Sequence, residues 1–157
     1  MSHTPAVTVA VADTPLSGAT RTAVTDLLTR TFDRHPDDLL AVELSRAQQP
    51  YGTVIVAADP DGTPLGVLLG RRTGHHRLFV VYLAVAPHAR RRQLATRLLR
   101  CAAARHSLLE LYVDNDNVAA RQLYTTLGFV ADPAHAAPAG QTRWQRPPPP
   151  QPGTGPS

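Results

Sequence analysis

Residues Leu83–Leu99 read LAVAPHARRRQLATRLL, and the fold turns on this stretch. An almost unbroken apolar run leads into it, RLFVVYLAVAP from Arg77 to Pro87. A strand buried on both faces has that composition. Pro87 ends the strand, because proline offers no N–H to a ladder. Arg90, Arg91 and Arg92 follow, and then Leu94, Leu98 and Cys101 recur at helical spacing. A helix is expected over about 91–105. Its first turn carries unpaired N–H groups and a partial positive charge, a ready site for an anion. The arginines add positive potential at the same place. The loop therefore suits a pyrophosphate held by main-chain N–H. A nucleic-acid reader spreads its arginines along an exposed face and interleaves aromatics for stacking. Aromatics make up 5% of this chain, and none lies in this segment.

Working outward, AVTVAVA (6–12) has the small and β-branched residues of a first strand. After Ser17, apolar residues at Ala23, Val24, Leu27, Leu28 and Phe32 mark a helix. A second helix is expected over DDLLAVELSRAQ, introduced by Pro36. GTVIVAA and PLGVLLGRR flank DPDG (Asp59–Gly62), a hairpin with turn chemistry at its tip. His75 and His76 fall in the next turn. SLLELYV (107–113) is a further strand, and NVAARQLYTTLG (117–128) a helix with Asn117 as N-cap and Gly128 past its end. The remainder holds one or two short strands, with TRWQR (142–146) in the last. A strand–helix–strand unit in the middle requires a parallel pair there.

At 157 residues the chain fits one domain, expected over 1–146, with RPPPPQPGTGPS giving a Pro-rich disordered tail over 147–157. Net charge is +4, and every basic residue is arginine. That charge suits anionic ligands without choosing among them. The single cysteine, Cys101, forms no internal disulfide and sits on the apolar stripe of its helix; no Cys/His cluster has zinc spacing, so no metal is expected. A reduced, cytoplasmic setting is expected, and no apolar run approaches the roughly 18 residues of a membrane span.

LAVAPHARRRQLATRLL followed by LYVDNDNVAARQLYTTLGF (111–129) resembles the GCN5-related N-acetyltransferase superfamily. Its cofactor loop has the form Arg/Gln-x-x-Gly-x-Gly/Ala, which here is Arg90, Arg91, Arg92, Gln93, Leu94, Ala95. Its second motif, Asn-x-x-Ala-x-x-Leu-Tyr-x-x-x-Gly-Phe, falls on Asn117, Ala120, Leu123, Tyr124, Gly128 and Phe129. The resemblance implies an α/β (α+β) fold: a mixed, mainly antiparallel sheet of about six or seven strands with a splayed parallel pair, flanked by about four helices. It implies acetyl-CoA as cosubstrate, lying in a V-shaped opening between Leu83–Val85 and Leu111–Val113. The pantetheine arm would pair with main chain at Leu83, Ala84 and Val85 like an added strand. The pyrophosphate would rest on the N–H groups of Arg90, Arg91, Arg92, Gln93, Leu94, Ala95 and Thr96. Asn117 would contact the pantetheine region. Main-chain N–H near Val85 would polarise the thioester carbonyl. Tyr124 would act as general acid toward the departing thiolate and would also line the cofactor site.

Two departures stand out. Gln93 replaces the family glycine. If that position needs positive φ, glutamine costs about 1–2 kcal/mol; in helical φ/ψ it costs little. The general base is the second gap. LFVVYLAVA holds no carboxylate. Tyr112 occupies the position where relatives often carry a glutamate, and Glu110, on the same face, is roughly 6–7 Å further along the strand. Glu110 and Tyr112 are the base candidates. The acceptor would be a primary amine on a small molecule, a peptide or a protein; Arg30, Arg34 and Arg46 would favour an acidic one. Gln93 and the missing base motivate an alternative, a non-catalytic or weakly active relative that binds CoA. A basic nucleic-acid-binding module is the remote alternative. No nucleic acid or membrane partner is expected, and the chain would be a monomer or homodimer.

Overall fold

A computed structural model describes residues 6–12, 15–32 and 37–147. Seven strands and four helices follow the chain as β1 (Thr8–Val11), α1 (Gly18–Thr31), α2 (Asp37–Ala47), β2 (Gly52–Ala58), β3 (Pro64–Gly74), β4 (Arg77–Val85), α3 (Leu94–Arg105), β5 (Leu108–Asp114), α4 (Val118–Thr126), β6 (Val130–Asp132) and β7 (Gln141–Arg146). All seven strands join one sheet in the order β1-β2-β3-β4-β5-β7-β6. Every pairing is antiparallel except that of β4 with β5. This is the mixed sheet that the sequence leads one to expect. The expected Pro-rich tail from 148 onward, Pro36 and Arg34 lie outside the described residues.

The sheet's interior is aliphatic. Val54, Ile55, Val67, Leu68, Leu69, Leu78, Leu109 and Leu111 are buried, with Leu94, Leu98, Leu99 and Ala102 of α3 packed against them. Helix α1 adds Val24, Leu27 and Leu28, and α2 adds Leu40 and Leu44. Ser17 caps α1 by accepting the Thr20 N–H at 3.3 Å. Between α2 and β2 the backbones nearly touch: a Cβ at Gly52 would stand 2.3 Å from the Ala47 carbonyl oxygen, so only glycine fits. Cys101 is half-buried against the core.

Two features of β4 and β5 position the site. The parallel register covers only Arg77↔Leu108, Leu78↔Leu109 and Phe79↔Glu110, after which the strands part. Their separation opens the sheet between Val80–Val85 and Leu111–Asp114. Within β4, Leu69 of β3 faces Tyr82 while Gly70 faces Val80, so Val81 is skipped as a β-bulge.

The expected helix from Arg91 starts later. Pro87–Arg92 form a 3-10 turn, and α3 begins at Leu94. Gln93 joins the two with φ 56° and ψ 33°, in the left-handed region. A shared αL residue lets the chain change direction between the turn and the helix axis, and a continuous helix could not do so. The expected 117–128 helix runs from Val118 to Thr126, with Asn117 as cap and Gly128 at φ 91° beyond it.

Candidate active site

The parted strands, α4 and the end of α1 enclose a cleft of about 280 Å³. Val80–Leu83 form one wall and Leu111–Asp114 the other, with Asn117, Ala120 and Tyr124 of the α4 region and Phe32 completing it. The second motif meets the walls of β4 and β5 here, while none of Arg90–Thr96 lines the cleft. Asn117 caps α4, its Oδ1 accepting the Ala120 N–H at 3.1 Å, and the capped end faces the cleft. Tyr124 lies two helical turns further, its ring 5.3 Å from that of Phe129. Burial pushes its phenol up to about 12, so the hydroxyl keeps its proton across the physiological range. No hydrogen-bond partner for this hydroxyl exists among the described residues, which leaves it free for a group in the cleft.

Leu83, Ala84 and Val85 lie past the last β4–β5 pair. Their backbone edge on that side is therefore open. Ala84 is buried, and Leu83 and Val85 are half-buried. Beyond them, the first intrahelical bond of α3 runs from the Arg97 N–H to the Gln93 carbonyl at 3.1 Å. The N–H groups of Leu94, Ala95 and Thr96 precede it, and the Gln93 side chain caps none of them. Leu94 itself is buried, so only its backbone can serve a ligand. Arg90 and Gln93 are exposed; the side chains of Arg91 and Arg92 lie outside the described residues.

The two base candidates occupy different surroundings. Tyr112 is 38% exposed, lines the cleft, and meets the Phe79 ring edge-on at 5.0 Å. Glu110 does not line the cleft. It is buried and accepts hydrogen bonds from Arg77 Nη2 and Arg143 Nη2, both at 2.5 Å, and from the Thr73 hydroxyl at 3.2 Å. Burial raises its pKa, but the hydrogen bonds from Arg77 and Arg143 outweigh that and hold it below the ordinary glutamate value. Arg143 also donates to Asp132 at 3.1 Å and to the Gln145 side chain at 3.0 Å. Asp114 lines the cleft and accepts from Gln141 Nε2 at 2.9 Å. Of the arginines expected to favour an acidic acceptor, the two described do not line the cleft: Arg30 is exposed in the last turn of α1, and Arg46 pairs with Glu43 at 3.2 Å.

Sequence reasoning missed three contributors. Phe32 and Tyr82, with rings 4.8 Å apart, join the end of α1 to the bulged strand at the cleft. Glu43 of α2 keeps one carboxylate oxygen buried without a hydrogen-bond partner among the described residues. Burial, and then the charge of Glu43, raise the Tyr82 phenol. The Arg77–Glu110–Arg143 cluster joins three strands, and only their register reveals it. Among the described residues there is no group of three or more potential metal ligands, and no helix is long and apolar enough to cross a membrane.

Residues 21–129 match the family model described as "Acetyltransferase (GNAT) family". No curated protein matches the chain in sequence. Among solved structures, it is similar to aminoglycoside 6'-acetyltransferase type Ii, with TM-score 0.75 and 19% identity over 92% of this chain and 99% of that one. The ribosomal-protein-S18-alanine N-acetyltransferase from Escherichia coli superposes with TM-score 0.69 and 18% identity, covering 89% of this chain and 94% of its own. The NatC complex bound to Gag peptide and CoA gives TM-score 0.70 and 16% identity over 90% and 98% of the two chains. At these identities the likeness is one of fold.

Proposed function

The chain belongs to the acetyltransferase (GNAT) family, and from that premise we propose that it moves the acetyl group of acetyl-CoA to a primary amine of a small molecule, peptide or protein. The observation that carries this reading is the proton-bearing Tyr124 hydroxyl, without a hydrogen-bond partner among the described residues, in a cleft made by two parting strands.

The residues present fit the cosubstrate. An open β4 edge at Leu83, Ala84 and Val85 can pair with an extended amide chain. The free N–H groups of Leu94, Ala95 and Thr96, with Arg90 nearby, can hold a pyrophosphate. Gln93 in the left-handed region supports the same use, because it separates the 3-10 segment from α3 and its side chain caps none of those N–H groups. Asn117 can reach the pantetheine from the α4 cap. Bound there, acetyl-CoA supplies an activated acyl carbon.

The amine nitrogen bonds to that carbon, and the carbon–sulfur bond breaks. Main-chain N–H near Val85 stabilises the charge on the carbonyl oxygen. Tyr124 gives its proton to the sulfur and regains one from water. The amine enters as the free base, and its proton leaves through water at Tyr112. Glu110 accepts from Arg77 and Arg143 on Oε1 and from Thr73 on Oε2, and the two guanidinium groups stabilise its charged form, which makes it a weak proton acceptor. Its part is electrostatic.

The test is thiol release from acetyl-CoA with a panel of primary amines, beside the melting shift that acetyl-CoA produces. Stabilisation together with amine-dependent release supports the reading. Stabilisation without release for any amine would favour a relative that binds CoA and does not turn it over. Neither response would overturn it.

A further inference from the structure

Next to the cleft lies a second cavity of about 350 Å³, lined by three arginines together with Glu110 and His135 among others. Register builds it. Arg71 of β3 stands opposite Phe79 of β4, and Phe79 opposite Glu110 of β5, so three strands place these side chains in one row on one face. Arg77 enters from the start of β4, and Arg143 from β7, where it faces Tyr112. Three guanidinium groups thus meet one carboxylate inside the cavity. Asp132, which Arg143 also engages, offsets a second. One positive charge is left over.

That charge belongs to Arg71. Its guanidinium lies over the Phe79 ring, 5.9 Å from the centroid, and has no carboxylate partner among the described residues. Arg77 shares Glu110 but keeps its side chain 48% exposed, so it has N–H groups to spare. Tyr112 lines both this cavity and the cleft. A molecule held at Arg71 can therefore extend past Tyr112 to the place where the strands part.

We propose that this cavity binds the carboxylate of the acceptor, so that the substrate is a small amine that also carries a carboxylate, of the amino-acid type. The inference rests on the acetyl-transfer reading above and names its substrate class. A single surplus positive charge suits a monoanion better than a phosphate dianion, and a planar guanidinium matches a carboxylate in a two-point contact. The Phe79 face fixes the orientation of Arg71 and reduces the ordering that binding would cost.

The experiment uses the full chain without cosubstrate and follows chemical shifts on titration with N-acetyl amino acids and with their C-terminal amides, which differ in the carboxylate alone. The carboxylates should bind at least about tenfold more tightly than the amides, the scale of one charge-assisted contact. Arg71→Gln should erase that difference, Arg71→Lys should restore part of it, and both should stay folded and melt within about 2–4 °C of the wild type, because Arg71 makes no side-chain hydrogen bond or ion pair among the described residues and only its contact with the Phe79 ring is weakened. Equal affinity for acids and amides, binding of neither, or a preference that survives Arg71→Gln would each overturn the proposal. A thiol-release assay on the same preparation separates the two readings. Carboxylate preference with no turnover of any amine would count against acetyl transfer and in favour of the anion site. Turnover that is indifferent to the carboxylate would do the reverse.

Discussion

Phe79 and Glu110 face each other at the last paired position of the parallel strands β4 and β5. Everything that could handle a substrate lies beyond them or beside them. Up to that pair, the strands are closed by ordinary hydrogen bonds and by Arg77 and Arg143 clamping Glu110 across the sheet. Past it, the backbone edges are free and the cleft begins. The ion cluster therefore sits at the hinge of the opening, where it can hold the strands together without occupying the space between them.

Tyr124→Phe tests the proton donor. The variant keeps the ring packed on Phe129 and removes only the hydroxyl. It should lower kcat by about 10²–10⁴, the usual contribution of a positioned acid. The melting shift with acetyl-CoA should stay within a degree or so of wild type, since the hydroxyl acts as the sulfur departs and adds little to the ground state. A variant with unchanged kcat would remove Tyr124 from the chemistry.

The pH–rate profile follows from the two proton carriers. With a phenol pushed to about 12, Tyr124 stays protonated until strongly alkaline pH. With the acceptor entering as the free amine, kcat/KM should climb with one limb over about pH 6–10 as that amine loses its proton. An additional limb near the carboxylate range, abolished by Glu110→Gln, would instead make Glu110 the proton acceptor.

Much of this architecture is legible in the sequence because local rules and tertiary packing agree in it. The apolar run at Arg77–Val85 is a central strand, and Asn117 and Gly128 bracket α4 as cap and stop signals do. The start of α3 falls three residues later than the sequence suggests. The arginines before it have good helix propensity, but the left-handed Gln93 interrupts the helix, and nothing in a glutamine announces positive φ. The row Arg71, Phe79, Glu110 is not legible at all. Its members come from three strands, and a register shifted by one residue would have sent them to opposite faces.

Stability should fall on acidification in two stages. His106 is held below its ordinary value of 6.5, first by burial and then by the charges of Arg105, Arg72 and His76. Below pH 6.5 the unfolded chain takes up a proton that the folded chain refuses, so stability drops as pH falls from there. Glu110 is held below 4.5 despite its burial, through Arg77 and Arg143. Its contribution is present above pH 4.5 and is lost as pH falls through the lower folded-state value. Urea midpoints measured from about pH 8 to about pH 3 should decline in that order, and His106→Gln should flatten the upper stage alone. A midpoint that rises on acidification between those values would contradict both assignments.

Gln93→Gly bears on both stability and ligand binding. Gln93 holds φ 56° with its side chain exposed and uncapping, so its Cβ brings the left-handed penalty without a compensating contact. Removing that Cβ should recover about 1 kcal/mol, less the extra freedom glycine gives the unfolded chain, for a rise in Tm of up to about 2–4 °C. Because the left-handed geometry already exists with glutamine in place, the N–H groups of Leu94, Ala95 and Thr96 should point the same way in both proteins. The acetyl-CoA melting shift should then be similar in the two, with the variant curve simply displaced upward. A shift that appears only in the glycine variant would mean that the glutamine side chain blocks the phosphate site. Calorimetric titration of both proteins with CoA would measure that directly.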